Sequence, residues 1–177
     1  MNIAVFCGSS LPHNKEIVEA AAALGRRIAQ EGHTLVYGGS NLGLMGVVSG
    51  AALEEGGRVV GVIPTLFSEE IIRSQPVTEL VRVRSMAERK EYIIARSDAF
   101  VALPGGIGTL DEVLEVMVAN QLKQIDKPMY LLNMDGFYNL FLEQLRQMHL
   151  MGFVRATGEA SLHAVGGVNE LFSLFER

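Results

Sequence analysis

Along the whole chain, short apolar runs rich in valine and isoleucine alternate with segments whose apolar residues recur every three or four positions. No other feature restricts the fold so strongly, because a repeated strand–helix order leads to parallel pairing with helices covering the sheet. The run 2–7 (NIAVFC) stops at Gly8, Ser9 and Ser10. The run 33–39 (HTLVYGG) closes on two glycines, and 58–64 (RVVGVIP) and 98–104 (DAFVALP) each close on a proline. Runs at 128–133 and near 161–165 add two further strands. Between them, 14–31 sets Ile17, Ala21, Leu24 and Ile28 on one helical face. Helices are also predicted at 43–55, 85–96, 109–122, 136–149 and from about 168. Residues 65–84, mixed in polarity and holding Pro76, read as a loop with room for a short helix. The predicted fold is α/β: a Rossmann-like doubly wound parallel sheet with helices on both faces, in one domain spanning 1–177. In such folds ligands bind along the C-terminal edge of the sheet. Function is therefore expected at the turns 8–10, 38–43, 64 and 104–109.

Charge narrows the partners. The formal charge of −5 argues against broad nucleic-acid binding, which needs a basic surface. It leaves room for a small anion held by a few local groups. No run of about 18 apolar residues is present, so no membrane partner is expected. The single cysteine, Cys7, cannot form an internal disulfide and reads as a small buried hydrophobe. With no secretory leader pattern in the first residues, a cytoplasmic location is expected. The four histidines, His13, His33, His149 and His163, lack metal-ligand spacing, and no metal or cofactor is expected.

The stretch 102–116, ALPGGIGTLDEVLEV, interrupts an apolar core with Gly105, Gly106 and Gly108 and then turns helical. Free N–H groups at a helix start favour an anion, and glycines let backbone approach a ligand closely, so the loop can cradle a phosphate. It lacks the Gly-Lys-Ser/Thr of a Walker loop, and the first turn lacks G-x-G-x-x-G. A plainer reading competes: Thr109 and Glu112 have the spacing of a capping box, in which they only start a helix. That reading leaves the three glycines unexplained. Ser85 and Glu88 form a second such pair, placing Arg89 and Lys90 in first turns, where cations oppose the helix dipole. The helix they start leads into the strand at 98–104, so its N-terminus lies at the same sheet edge as the glycine loop. Arg89 and Lys90 read either as part of that cleft or as a solvated basic patch.

PGGIGTLDE (104–112) preceded by SMAERK (85–90) resembles the LONELY GUY family of cytokinin riboside 5'-monophosphate phosphoribohydrolases, often labelled lysine decarboxylases. FCGSS (6–10), YGGSNLGLMG (37–46) and GVIP (61–64) follow the family order over nearly the whole chain. The resemblance implies hydrolysis of the N-glycosidic bond of a nucleoside 5'-monophosphate, AMP or a cytokinin riboside 5'-monophosphate, by a homodimer. It implies that the backbone of Gly106, Ile107, Gly108 and Thr109 binds the phosphate. Glu112 is the implied catalytic carboxylate, with Arg89 beside it and Lys90 adding positive charge. Further substrate contacts are expected from Gly105, from Gly8 and Ser9, from Gly39 and from Met86. Two positions depart from the family: Ala87 stands where a histidine is usual, and Val118 where plant members tend to have threonine. Their effect is expected on base preference. A carrier that binds such a nucleotide without cleaving it is the alternative. Lysine decarboxylation is not expected, since none of Lys15, Lys90, Lys123 and Lys127 lies in a recognisable pyridoxal motif.

Overall fold

The computed structural model describes residues 1–67, 76–154 and 161–175. The strands are β1 (Asn2–Phe6), β2 (Thr34–Tyr37), β3 (Arg58–Pro64), β4 (Glu79–Val83), β5 (Ala99–Ala102), β6 (Met129–Leu132) and β7 (Leu162–Val165). The helices are α1 (Lys15–Gln30), α2 (Gly43–Glu54), α3 (Met86–Arg96), α4 (Ile107–Gln121), α5 (Asn139–Leu150) and α6 (Val168–Phe175), with a 3-10 turn at Met134–Gly136. All strands belong to one parallel sheet in the order β4-β3-β2-β1-β5-β6-β7. The chain is thus the doubly wound Rossmann-type α/β protein predicted.

Alternation along the strands builds two cores. Ile3, Val5, Leu35, Tyr37 and Val101 point to the face covered by α1, α2 and α6, through Leu24, Ile28, Val48 and Phe172. Ala4, Phe6, Val36, Phe100 and Ala102 point to the other face and meet Ile93 of α3, Val113 and Val116 of α4 and Leu145 of α5. A period of two, buried on both sides, explains why these runs read as continuously apolar. Among the described residues no helix is long and apolar enough to cross a membrane.

The segment 65–84 departs from the loop reading. Its end, Glu79–Val83, is a strand, parallel to β3 with Val60 opposite Glu79 and Pro64 opposite Val83. It lies at the sheet edge, with one neighbour and a half-exposed face, so it carries Glu79 and Arg82 and shows no continuous apolar run. Glu79 accepts from Arg58 across the pair at 2.7 Å. The short helix allowed within 65–84 overlaps residues 68–75, which lie outside the described residues.

Strand order fixes where a ligand can sit. β1 lies between β2 and β5, and the chain runs outward from β1 in both directions. The loops after β1 and β5 therefore diverge to opposite faces and leave a crevice at the sheet's C-terminal edge.

Candidate active site

A cavity of about 660 Å³ opens at that crevice, a size suited to a nucleotide-sized ligand. The loop after β1 contributes Cys7, Gly8 and Ser9, and the loop after β2 contributes Gly38, Ser40, Asn41 and Leu42. The start of α3 contributes Met86, Arg89 and Lys90, and the start of α4 contributes Gly106, Ile107, Gly108, Thr109, Asp111 and Glu112. Leu44 N–H donates to the Gly8 carbonyl at 3.0 Å, tying the first two loops together.

Helix α4 starts two residues earlier than the predicted 109. Its N-cap is Gly106, and no side chain caps it. Thr109 therefore lies inside the first turn, and the capping-box reading of Thr109 and Glu112 fails. Leu110 N–H makes the first helical bond, to the Gly106 carbonyl at 3.2 Å. The N–H groups of Ile107, Gly108 and Thr109 have no acceptor among the described residues. Three open donors at the positive end of a 15-residue helix, on a cavity wall, are suited to receive an anion. A methyl at Gly105 would lie 2.2 Å from Thr109 Oγ1 and 3.1 Å from the Gly8 nitrogen, so glycine lets the two loops close together.

The second capping pair is half formed. Ser85 accepts from Glu88 N–H at 3.1 Å, but Glu88 turns to the backbone N–H of Arg84 at 2.8 Å and to its Nε at 3.1 Å. The helix so started delivers Arg89 into the protein, 9 % exposed. Its Nε donates to the Val62 carbonyl at 3.2 Å, and its Nη1 lies 3.3 Å from Glu112 Oε1. The Glu112 side chain is 12 % exposed. Burial pushes its carboxyl up from 4.5 to about 7; Arg89 and Lys90 pull it down, while Asp111 and Glu115 push it further up. Glu112 is thus a carboxylate that changes charge near neutrality, at the floor of a cavity.

Lys90 lines the cavity, but its ammonium is committed, 3.0 Å from Asp111 Oδ2 and paired also with Glu115. These partners raise its pKa. Lys90 is therefore a neutralised cation, which corrects the expectation that it adds net positive charge. Cys7 is buried, and burial, with Glu112 nearby, raises its thiol pKa, keeping it protonated.

Of the residues read from sequence, Gly8, Ser9, Met86, Arg89, Lys90, Gly106, Ile107, Gly108, Thr109 and Glu112 share this cavity. Gly105 and Gly39 lie outside its lining. Gly39 has φ +75°, and its Cβ would meet the Val62 backbone at 3.2 Å, so turn geometry explains it. Ala87 is exposed and Val118 is 52 % exposed, and neither lines the cavity. The site reading missed Gly38, Ser40, Asn41, Leu42, Phe67 and Asp111. The position of the turn after β2 was visible, but which of its two glycines faces the site depends on φ at Gly39. Asp111 carried no signal apart from its place beside Glu112.

A family profile described as possible lysine decarboxylase matches residues 45–175. The cytokinin riboside 5'-monophosphate phosphoribohydrolase LOG1 of Arabidopsis thaliana is 40% identical over 174 residues, 98% of this chain and 82% of that protein. The probable cytokinin riboside 5'-monophosphate phosphoribohydrolase LOGL9 of Oryza sativa subsp. japonica is 45% identical over 152 residues, 86% of this chain and 67% of that protein. Among solved structures, a molybdenum cofactor binding protein from Rippkaea orientalis superposes with a TM-score of 0.72 at 25% identity, covering 99% of this chain and 94% of that one. The molybdenum cofactor carrier protein of Chlamydomonas reinhardtii gives 0.74 at 24% identity over 99% and 95%, a likeness of fold.

Proposed function

The chain belongs to the family that holds the cytokinin riboside 5'-monophosphate phosphoribohydrolases and is described as possible lysine decarboxylases, and we propose that it hydrolyses the N-glycosidic bond of a nucleoside 5'-monophosphate. One observation carries this reading. A buried carboxylate, Glu112, faces the same cavity as an uncapped helix start, one turn further along α4. From Gly108 to Glu112 the helix rises about 6 Å, the scale of a ribose carrying its 5'-phosphate.

The phosphate sits on the N–H groups of Ile107, Gly108 and Thr109. The C1'–N bond breaks, its electron pair leaves with the base, and positive charge develops on the ribose. Ionised Glu112 stabilises that charge and orients the water whose oxygen bonds to C1'. The water gives up one proton as the C1' hydroxyl forms and the departing base gains one, so free base and ribose 5-phosphate are the two products. Arg89 draws Glu112 towards its ionised form. Leu42, Phe67, Met86 and Ile107, all exposed and all on the cavity wall, favour a substrate with apolar surface on its base, such as an N6-substituted adenine.

Pyridoxal phosphate does not fit these residues. Its Schiff base needs a lysine that can lose its proton, and two carboxylates hold Lys90, the one lysine on the cavity wall, protonated.

A homodimer is part of the proposal. Leu114, Val118 and Leu122 are 43%, 52% and 61% exposed and recur every four residues, an apolar stripe along α4 that a second copy would cover. The lone buried Cys7 suits a reducing compartment such as the cytoplasm.

The test is incubation of the protein with AMP and with isopentenyladenosine 5'-monophosphate, assaying free base and ribose 5-phosphate. Release of both products in equal amounts is expected. A protein that binds these nucleotides and cleaves none of them is instead a carrier.

A further inference from the structure

We propose that Gly38 is a positioning residue for this reaction: its bare backbone is the seat of the Arg89 guanidinium and fixes Arg89 against Glu112. The proposal rests on the phosphoribohydrolase reading for its kinetic consequence, but its structural content can be tested separately.

A Cβ built at Gly38 would lie 1.7 Å from Arg89 Nη2 and 2.8 Å from Arg89 Cζ. Those atoms and Met45 Sδ, at 3.2 Å, are its nearest neighbours, and none is backbone. The backbone at 38 lies outside the left-handed region, in contrast to Gly39 at φ +75°. Conformation therefore does not demand glycine at 38, and no main-chain atom lies nearer to that Cβ than Met45 Sδ at 3.2 Å. What demands glycine is room for one guanidinium.

The other sides of that guanidinium are already occupied. Nε is bound to the Val62 carbonyl at 3.2 Å and Nη1 lies 3.3 Å from Glu112 Oε1. Two anchors, the Val62 carbonyl of β3 and Glu112 of α4, and the bare backbone of the loop after β2 together fix where the planar group lies. A methyl at 38 fills the space that Nη2 occupies, so the guanidinium shifts and Nη1 moves away from Glu112. Because the atoms displaced are the end of a flexible side chain, the fold tolerates the change while the ion pair does not.

The consequence is read at Glu112. The charged and titratable groups facing it are Arg89 and Lys90 from α3, Asp111 and Glu115 from α4 itself, and Cys7 from the end of β1. Lys90 is held by Asp111 and Glu115, which leaves Arg89 as the main group favouring ionised Glu112. Moving it lets burial raise the Glu112 pKa further.

The experiment compares wild type, Gly38→Ala, Arg89→Ala and the double variant. It measures the Glu112 carboxyl titration by carbon-13 NMR, the pH profile of AMP hydrolysis and the melting temperature. Gly38→Ala is expected to keep a melting curve close to wild type, shift the Glu112 titration to higher pH, and lose kcat on the order of tenfold to a hundredfold, as for a small displacement of an active-site group. In the Arg89→Ala background the same substitution is expected to be silent in titration and rate. If Gly38→Ala alone fails to fold while the double variant folds, the clash is with the guanidinium and the seat stands. Failure of both to fold, or an unchanged Glu112 titration in a folded Gly38→Ala, overturns it. A shifted titration in a protein whose wild type hydrolyses no nucleotide keeps the seat and removes the phosphoribohydrolase reading.

Discussion

Replacing Glu112 by glutamine should make the protein more stable and the proposed enzyme slower, and the size of the first effect follows from the titration. The folded-state value, about 7, lies above the ordinary 4.5, so the native state holds a proton that the unfolded chain has released. Stability from this group is fully present below about pH 4.5 and is lost as pH rises through about 7. The full loss is 2.5 pH units at 1.36 kcal/mol each, about 3 kcal/mol at pH 8. Removing one partner of a buried ion pair commonly costs a similar amount, which would work against the gain. Here the protonated carboxyl is preferred even with Arg89 beside it, so a neutral amide of the same shape inherits that preference. Arg89 keeps its bond to the Val62 carbonyl. For a chain of this size about 3 kcal/mol corresponds to roughly 6–12 °C in melting temperature. Differential scanning calorimetry at about pH 8 should show Glu112→Gln melting higher by an amount in that range, while at about pH 4 the two proteins should melt together. Hydrolysis should fall on the order of a hundredfold or more, as when a single electrostatic stabiliser is lost. A variant less stable than wild type at pH 8 would refute the assignment of burial as the dominant influence on Glu112. Undiminished hydrolysis would remove Glu112 from catalysis.

Other outcomes can be checked with the same assays. AMP should be turned over and adenosine should not, because binding energy from the phosphate supports the chemical step; equal turnover would contradict the cradle. The rate of hydrolysis should rise as pH rises through about 7, where Glu112 loses its proton, since the proposed mechanism uses the ionised carboxylate. A Cβ at Gly108 meets nothing within 4 Å, yet Gly108 lines the cavity, so Gly108→Ala should raise KM for AMP while leaving the melting temperature unchanged or slightly higher; unchanged KM would move the phosphate elsewhere. Val118→Glu should shift the protein from dimer to monomer in analytical ultracentrifugation, and an unshifted dimer would place the interface off the α4 stripe. Ala87→His should leave the ratio of AMP to prenylated AMP turnover unchanged, because residue 87 is exposed and outside this chain's cavity wall; a changed ratio would mean that a second copy completes the site there.

The sheet was most legible where both faces are buried, although the half-exposed edge strand β7 was also read, near 161–165. Residues 58–64 were predicted to the residue, because Val59, Val60, Val62 and Ile63 have no solvent-facing side and form one apolar run. Strand β4 was not legible, since an edge strand has one partner and Glu79 and Arg82 can remain half wet. The start of α4 was misjudged because Thr109 has cap chemistry at cap spacing. The chain uses Gly106 instead, which leaves three N–H groups open where a side-chain cap would have filled one. The glycine loop and Arg89 could be found because each breaks a local preference that folding alone would satisfy, whereas Glu112, which fits a capping box, was reached through the resemblance of PGGIGTLDE and SMAERK to the phosphoribohydrolase family. Gly38, Asn41 and Phe67 could not, because which residue of a turn faces a cavity depends on dihedral angles and on loops meeting from distant parts of the sequence.

In the proposed reaction, the charge balance of the cavity divides anchoring and chemistry between different kinds of group. Arg89 and Lys90 are each opposed by carboxylates, so neither offers a free cation to a phosphate. The open N–H groups of α4 attract a dianion through fixed dipoles and add no mobile charge beside Glu112. If an unpaired lysine did the anchoring, it would draw the Glu112 pKa down towards the ordinary carboxylate value. The reaction needs that carboxylate poorly solvated, since its attraction for a cation developing at C1' grows as water is excluded. The desolvation that makes ionised Glu112 costly in the folded protein is the same quantity that makes it effective in the transition state. Stability gained and rate lost in Glu112→Gln should therefore appear together. A substitution that restores water to Glu112 without removing its charge should relieve part of the first and forfeit part of the second. Met86→Ser, which puts a small polar side chain on the same cavity wall as Glu112, tests this. Its Glu112 titration should move towards 4.5 as hydrolysis slows, and a slower enzyme with an unmoved titration would show that Met86 acts by contact with the substrate.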